Sequence, residues 1–291
     1  MKRRFAEIAL ITVVLSVITL ISACRPTDKP GEQLPGQTQT QPQPQQPKLG
    51  SEKGATIGAY GPGNLSFLLR NSNTPGNAEL VIQFGVAGDV PLVGDWDGNG
   101  TWTIGVYRPG ESTFYLRNSN DPGEASVVAA FGERGDLPVV GDWDGNGTTT
   151  IGAFRPGGNT FYLRNSNAAG NADITVALPY ASGGDMPVAG DWDGNKSWTV
   201  GVYRRSTSSF YLQNSNNPGK PDLAVNFEIG GDTSGDLPVV GDWDGNGTVT
   251  IGLWRAAAFY LRNTNAPGLP DIVGAYGAPG MKPLAGNFDG L

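Results

Sequence analysis

The chain is built from one repeating unit of short, strand-like segments. Its most regular element is Asp-Trp-Asp-Gly-Asn, which begins at Asp95, Asp142, Asp191 and Asp242, and a diverged fifth copy begins at Asn287. These starts lie 47, 49, 51 and 45 residues apart. A period of that length, composed of short strands, is typical of propellers and related repeat arrays. The repeat therefore limits the folded part of the chain to a small set of all-β architectures.

Each unit contains four segments with the alternation expected of short strands. In the second unit they are residues 103–107, 114–119, 127–131 and 137–143, separated by turns rich in Gly, Pro and Asn. No segment of the repeats shows a sustained apolar period of 3.6 residues, so we expect almost no helix there. Four short antiparallel strands are what one propeller blade contains.

The phase of the repeat at its two ends predicts a closed ring. The first unit starts at Thr56 with its second strand, and the chain ends on residues 283–289, which match the first strand. We predict an all-β fold, a five-bladed β-propeller of four-stranded antiparallel blades, closed by pairing of the N- and C-terminal strands. An open array of hairpin units is the alternative, and it would leave unprotected edge strands at both ends.

The first 23 residues have the organisation of an export signal. Lys2, Arg3 and Arg4 precede an apolar stretch over residues 8–21, and Cys24 follows two small residues. The stretch is short for a membrane span, which needs roughly 20 residues. The arrangement resembles the lipobox of bacterial lipoproteins, and the resemblance implies that Cys24 is lipidated and becomes the mature N-terminus. An uncleaved signal anchor is the alternative.

Three segments follow from these features. Residues 1–23 are the expected lipoprotein signal peptide, residues 24–50 a lipidated cysteine with a Pro- and Gln-rich disordered linker, and residues 51–291 the five-repeat propeller domain. The expected location is an exported lipoprotein, anchored in a membrane at the cell surface or in the periplasm. Cys24 is the sole cysteine, so a disulfide framework is excluded.

Composition excludes several classes of function. The net charge is −7, and an acidic surface repels nucleic-acid phosphates, so we expect no nucleic-acid partner. Histidine is absent, which removes the commonest general base and the commonest transition-metal ligand.

The recurring acidic loop has the spacing of a calcium loop. Side-chain oxygens at alternate positions, followed by a glycine that allows a sharp turn, are the ligands that calcium prefers. The candidate ligands are Asp95, Asp97, Asn99, Thr101, Asp142, Asp144, Asn146, Thr148, Asp191, Asp193, Asn195, Asp242, Asp244, Asn246 and Thr248. The bidentate acid that closes an EF-hand is missing, because Val106 and Ala153 occupy its position.

The whole of residues 56–291 resembles the FG-GAP and VCBS repeats of integrin-like propellers, whose acidic hairpin loops carry calcium between the first two strands of a blade. The resemblance implies that Asp95, Asp97 and Asn99 give side-chain oxygens and that Thr101 gives its carbonyl. The closing acid of that motif is replaced by Thr103 and its equivalents. We therefore expect at most weak calcium binding, roughly 10⁻⁴ to 10⁻³ M. A metal-free turn held by Asn and Asp side chains is the alternative.

Aromatic and basic residues also recur. A large aromatic at positions 96, 143, 192, 243 and 288 indicates packing between blades, with sugar-stacking platforms as the alternative. The recurring arginines are expected to cover strand faces and to bond neighbouring turns, or else to line a groove. They are Arg70, Arg117, Arg164 and Arg262. Trp102, Trp198 and Trp254 occur in only some units and are the candidates for exposed ligand contacts.

These features favour a non-enzymatic binding or interaction module. Repeated shallow sites would bind carbohydrate, or an envelope or extracellular protein, because several copies of one weak site gain from multivalency. One alternative is a glycoside hydrolase with two carboxylates across the central channel. A purely structural envelope scaffold is the other.

Overall fold

The computed structural model describes residues 54–290, which lie in one compact unit, and those residues are almost entirely strands and turns. Within this range the helical content consists of two single 3₁₀ turns, Pro156–Gly158 and Arg205–Thr207. Cys24 and the predicted signal and linker segments lie outside the described residues. No helix of the described part is long and apolar enough to cross a membrane.

Twenty strands form five four-stranded antiparallel sheets, which we call blades 1 to 5. Blade 1 contains β1 (Thr56–Gly61), β2 (Ser66–Leu69), β3 (Leu80–Gln83) and β20 (Lys282–Gly286); blade 2 contains β4 (Val90–Gly94), β5 (Thr103–Arg108), β6 (Thr113–Leu116) and β7 (Val127–Ala130); blade 3 contains β8 (Leu137–Gly141), β9 (Thr150–Arg155), β10 (Thr160–Leu163) and β11 (Ile174–Ala177); blade 4 contains β12 (Met186–Gly190), β13 (Thr199–Arg204), β14 (Ser209–Leu212) and β15 (Leu223–Asn226); and blade 5 contains β16 (Leu237–Gly241), β17 (Thr250–Arg255), β18 (Ala258–Leu261) and β19 (Ile272–Ala275).

The predicted five-bladed propeller and its closure are confirmed. β20 pairs with β1 in antiparallel register, with Thr56 opposite Gly286 and Gly58 opposite Leu284. Blade 1 is thus completed by the last strand of the chain, and its strand order is the same as that of the other four. Pairing the two ends removes the edge strands that an open array would expose.

The first strand of each blade faces a central channel. β4, β8, β12, β16 and β20 contact one another in sequence around the ring. Each carries a proline at its second position, namely Pro91, Pro138, Pro187, Pro238 and Pro283, and all five line the channel. Proline lacks an N–H group and is tolerated on an edge strand whose free side needs no partner. The inner strands are therefore suited to the channel wall.

A repeated backbone hydrogen bond ties each blade to the preceding one. The residue just before the second strand donates its N–H to the carbonyl of the first residue of the neighbouring acidic loop. The five bonds are Ala55 to Asp242, Trp102 to Asn287, Thr149 to Asp95, Trp198 to Asp142 and Val249 to Asp191, at 2.7 to 2.8 Å. Since blade 1 is bonded to blade 5, the set forms a complete circle.

The core consists of apolar clusters that span neighbouring blades. Trp96 of blade 2, for example, packs with Ile151 and Ala153 of blade 3. Its indole N–H donates to the Ile104 carbonyl at 3.2 Å, and a Cβ on Gly94 would lie 2.8 Å from its ring. Trp143, Trp192, Trp243 and Phe288 are equally buried. Burial makes the repeated aromatic a packing residue, and its alternative role as an exposed sugar platform does not fit this structure.

Candidate functional site

The acidic loops are closed by hydrogen bonds to their own backbone. In the first loop, the two carboxylate oxygens of Asp95 accept the N–H groups of Asn99 at 3.0 Å and Gly100 at 2.7 Å, and Asn99 Oδ1 accepts the Thr101 N–H at 2.8 Å. The loops that begin at Asp142, Asp191 and Asp242 repeat these bonds with distances that agree within 0.1 Å. This is the arrangement of an Asx-stabilised turn.

Many side-chain oxygens of these loops accept hydrogen bonds from within the loop. Calcium needs six to eight oxygens turned towards one point. Here the first aspartate and the asparagine of each loop accept backbone N–H groups, and in the loops that begin at Asp142, Asp191 and Asp242 the second aspartate also accepts the asparagine N–H at 3.3 Å. Within residues 54–290 no group of three or more Asp, Glu, His or Cys side chains could hold a metal. The geometry favours the metal-free turn.

Burial raises the pKa of Asp142, Asp191 and Asp242, although the backbone N–H donors oppose the shift. An acid whose pKa is raised in the folded state contributes stability that is present at low pH and is lost as the pH rises through that raised value. Compared with an exposed aspartate, each of these carboxyls therefore keeps its proton to a higher pH, while it accepts the hydrogen bonds that hold its turn together.

Substitutions at the first and second aspartates separate a turn from a metal site. We expect Asp95→Ala to lower the free energy of unfolding by about 2 kcal/mol, because two backbone N–H groups lose their acceptor. Asp97→Ala should change it by less than about 0.5 kcal/mol. Urea unfolding with and without millimolar calcium measures both. A calcium-dependent rise in stability that Asp97→Ala abolishes would restore the metal interpretation.

The arginines that directly follow the third strand of a blade stabilise the turn after that strand. Arg117 donates to the Glu124 carbonyl and to Ser119 and Asp121 in its own turn. Arg70, Arg164 and Arg262 bond their turns in the same way, and Gln213 donates to the Lys220 carbonyl. Of the two predicted roles, bonding neighbouring turns is the one the structure displays.

A different arginine forms a repeated polar group at the strand ends opposite the acidic loops. In four blades the last residue of the second strand donates two hydrogen bonds to a buried aspartate just before the first strand. The pairs are Arg108 with Asp89, Arg155 with Asp136, Arg204 with Asp185 and Arg255 with Asp236, at 2.5 to 3.2 Å. These bonds raise the pKa of all four guanidinium groups, which therefore stay charged.

In three of these blades the guanidinium also covers a tyrosine ring on the third strand. The distances from the guanidinium carbon to the ring centroid are 4.2 Å for Arg108 and Tyr115, 4.6 Å for Arg155 and Tyr162, and 4.7 Å for Arg204 and Tyr211. Blade 5 has Tyr260 at the same position. We call these the Asp–Arg–Tyr groups.

Blade 1 replaces every member of this group. Gly61 stands in place of the arginine, Met281 in place of the aspartate and Leu68 in place of the tyrosine. A buried charge without its partner is strongly destabilising, whereas removing both charges is tolerated. The joint replacement within one chain indicates that the three positions act as a unit.

Grooves lie between neighbouring blades beside these positions. The groove between blades 1 and 2 has a volume of about 540 Å³ and is lined by Gln83, Arg108, Tyr115, Glu124 and Val128, among others. The equivalent groove between blades 5 and 1, of about 660 Å³, contains Leu68, Val81 and Tyr276 and lacks the arginine. Between blades 3 and 4, Tyr180 packs towards Tyr211 with ring centroids 6.1 Å apart. The grooves thus share a frame and differ in chemistry.

The three unevenly distributed tryptophans have different environments. Trp102 and Trp198 are half-buried, and their rings approach to 5.7 Å at the mouth of the central channel. Trp254 is 4% exposed and donates to the Tyr276 carbonyl at 3.4 Å. It occupies the core position that Tyr107, Phe154 and Tyr203 hold in other blades, so it is not an exposed contact in this structure.

No protein-family model and no curated protein matches the chain. Seven solved chains match by structure. One is an Agrocybe aegerita lectin that recognises non-reducing terminal N-acetylglucosamine, with 18% identity, a TM-score of 0.40, and 74% of this chain and 63% of that chain covered. Another is BBS1N in complex with ARL6DN, with 11% identity, a TM-score of 0.33, and 64% and 56% covered. The chain spans about three-fifths of the length of these solved chains.

Proposed function

We propose that the protein is a membrane-anchored extracytoplasmic binding module that recognises carbohydrate through the shallow grooves between its blades. The observation that carries the proposal is the Asp–Arg–Tyr group, whose residues recur in four blades, with the guanidinium over the ring in three, and which borders an open groove between blades 1 and 2. Asp89 and Glu111 hold the arginine and the tyrosine in place beside the groove, and this pairing of an aromatic side chain with polar groups suits a ligand with both apolar faces and hydroxyl groups.

The groove between blades 1 and 2 offers complementary partners for a sugar. Gln83 and Glu124 supply acceptors and donors at its edges, and Val128 supplies an apolar contact on the outermost strand. Arg108 donates to Asp89 at 3.0 Å and its Nη1 lies 3.5 Å from a Glu111 carboxylate oxygen, so the guanidinium is positioned before a ligand arrives. Positioned donors reduce the ordering cost of binding.

Repetition would strengthen such binding. The arginine and tyrosine positions recur in blades 2 to 5, so a branched or polymeric glycan would engage more than one of them at a time. Linked weak sites can exceed the affinity of one site by factors of roughly 10² to 10⁴. A lipid anchor at Cys24 would hold the protein at a membrane surface.

A glycan array followed by calorimetry tests the binding. We expect the full chain to bind at least one glycan class without releasing reducing sugar. Tyr115→Leu should weaken binding roughly tenfold through loss of the ring and its hydroxyl. Leu68→Ala, at the equivalent position of blade 1, is the matched control and should leave the affinity unchanged.

Two results would overturn this function. The first is an array without binding, or binding that is indifferent to Tyr115→Leu. The second is release of reducing sugar, which would support the hydrolase.

For the anchor, we expect Cys24→Ser to move the protein from the membrane fraction to the soluble fraction, and retention in the membrane would contradict lipidation.

A further inference from the structure

Two tryptophans break the fivefold symmetry of the ring at the channel mouth. The residue before the second strand of each blade is Ala55, Trp102, Thr149, Trp198 and Val249 in blades 1 to 5. Trp102 and Trp198 therefore belong to blades that are not adjacent, yet their ring centroids lie 5.7 Å apart. Their side chains meet over the channel, and both also line it.

The backbone at this position is held on both sides. Each of the five residues donates its N–H to the neighbouring acidic loop, as described above. Each carbonyl also accepts a hydrogen bond from an asparagine in the turn between the third and fourth strands of its own blade, at 2.8 to 2.9 Å: Asn73, Asn120, Asn167, Asn216 and Asn265 are the donors. The two indoles therefore stand on a rigid support that is the same for all five side chains.

The unequal side chains leave one half of the mouth open. Ala55 and Val249 are small, and beside them lies a cavity of about 530 Å³ with the two indoles as one wall. Val240, Ala285 and several glycines of blades 1 and 5 line the remainder. This volume is within the range of small-molecule sites.

The lining carries a single charged side chain. Its one carboxylate, on Asp242, accepts the N–H groups of Asn246 and Gly247 at 3.0 and 2.8 Å, so it is directed at its own loop. Asn287 belongs to the adjacent loop and is itself engaged in hydrogen bonds. What a ligand meets is two aromatic rings, aliphatic side chains and peptide groups next to glycines, where the backbone can be approached closely.

We propose that this mouth pocket is a second binding site, separate from the grooves and present once per molecule, for a small uncharged ligand with a planar heteroaromatic ring. Such a ring gains by stacking on an indole, and its ring nitrogens or carbonyls can bond the glycine backbone. A charged ligand would lose hydration without gaining a charged partner.

Saturation-transfer NMR and calorimetry with nicotinamide and caffeine, both neutral heteroaromatics, test the proposal. We expect saturable binding with one site per molecule. Ala55→Trp, which places in blade 1 the residue that blades 2 and 4 already carry, should fill the cavity and weaken binding at least roughly tenfold. Trp198→Ala should have a similar effect by removing the wall. Val249→Trp provides a second filling variant if Ala55→Trp lowers the melting temperature.

The controls separate this site from the grooves. Tyr115→Leu should leave heteroaromatic binding unchanged, so the groove function and the mouth pocket can fail independently. The inference is overturned if neither probe binds saturably, if binding survives both Trp198→Ala and a folded filling variant, or if methyl β-D-glucopyranoside or benzoate binds the mouth pocket more tightly than either neutral heteroaromatic.

Discussion

Asp236→Ala is expected to lower the free energy of unfolding by about 3 kcal/mol. The Asp236 side chain is fully buried and receives two hydrogen bonds from Arg255, whose side chain is 20% exposed. Removing the carboxylate leaves a guanidinium held close to the core without its counter-charge. For a domain of this size, a loss of that magnitude lowers the melting temperature by roughly 6 to 12 °C.

The chain supplies a matched control for this substitution. Blade 1 carries Met281 and Gly61 at the positions equivalent to Asp236 and Arg255. The double variant Asp236→Met with Arg255→Gly should therefore lose less stability than Asp236→Ala, because no charge is left unpaired. Urea unfolding of the wild type and both variants measures the difference. A double variant that is less stable than the single one would show that the pair does not act as a unit.

Truncation after Met281 is expected to abolish cooperative folding. It removes β20 and with it the whole ladder to β1, the hydroxyl bond from Thr56 to the Gly286 carbonyl, and the link from Trp102 to Asn287. Blade 1 would lose its inner strand and expose an edge, and the circle of blade-to-blade bonds would open. The loss should exceed the roughly 5–15 kcal/mol that stabilises a typical domain.

Truncation after Asp289 is the control for that experiment. It keeps β20 and the Asn287 carbonyl, so we expect a melting temperature close to that of the full chain. Circular dichroism and analytical ultracentrifugation compare the two truncated proteins. If the protein truncated after Met281 melts cooperatively as a monomer, the ring does not depend on its terminal strand.

The architecture could be predicted from the sequence because it depends on phase and period. Entry at the second strand and exit through the first predict a shared blade, which β1 and β20 form. The predicted strands of the second unit agree with β5 to β8, although β6, β7 and β8 end earlier, at Leu116, Ala130 and Gly141. Turn residues and the alternation of apolar and polar side chains decide where these strands lie.

The sites were less predictable because they depend on orientation and on distant contacts. A calcium loop and an Asx turn share one spacing, and the spacing does not specify the backbone N–H groups that the Asp95 carboxylate accepts. The convergence of Trp102 and Trp198 requires two blades that are not neighbours to reach across the channel. No spacing within one unit contains that information.

Two features did leave a signal in the sequence. Aligning the units places Trp254 at the position of Tyr107 and Tyr203, which indicates a core residue rather than an exposed contact. The same alignment pairs Asp and Arg in four units and removes both from the first. Because two opposite charges are replaced together, the repeat pattern itself predicts that their side chains are in contact.

Hydrogen exchange at the two terminal strands tests the closed ring most directly. In a closed ring, the amide hydrogens shared by β1 and β20 exchange as slowly as those shared by β8 and β9, because both ladders open only when the whole propeller unfolds. Faster exchange in β1 and β20 than in β8 and β9, at the same pH and temperature, would contradict a ring closed by its two ends.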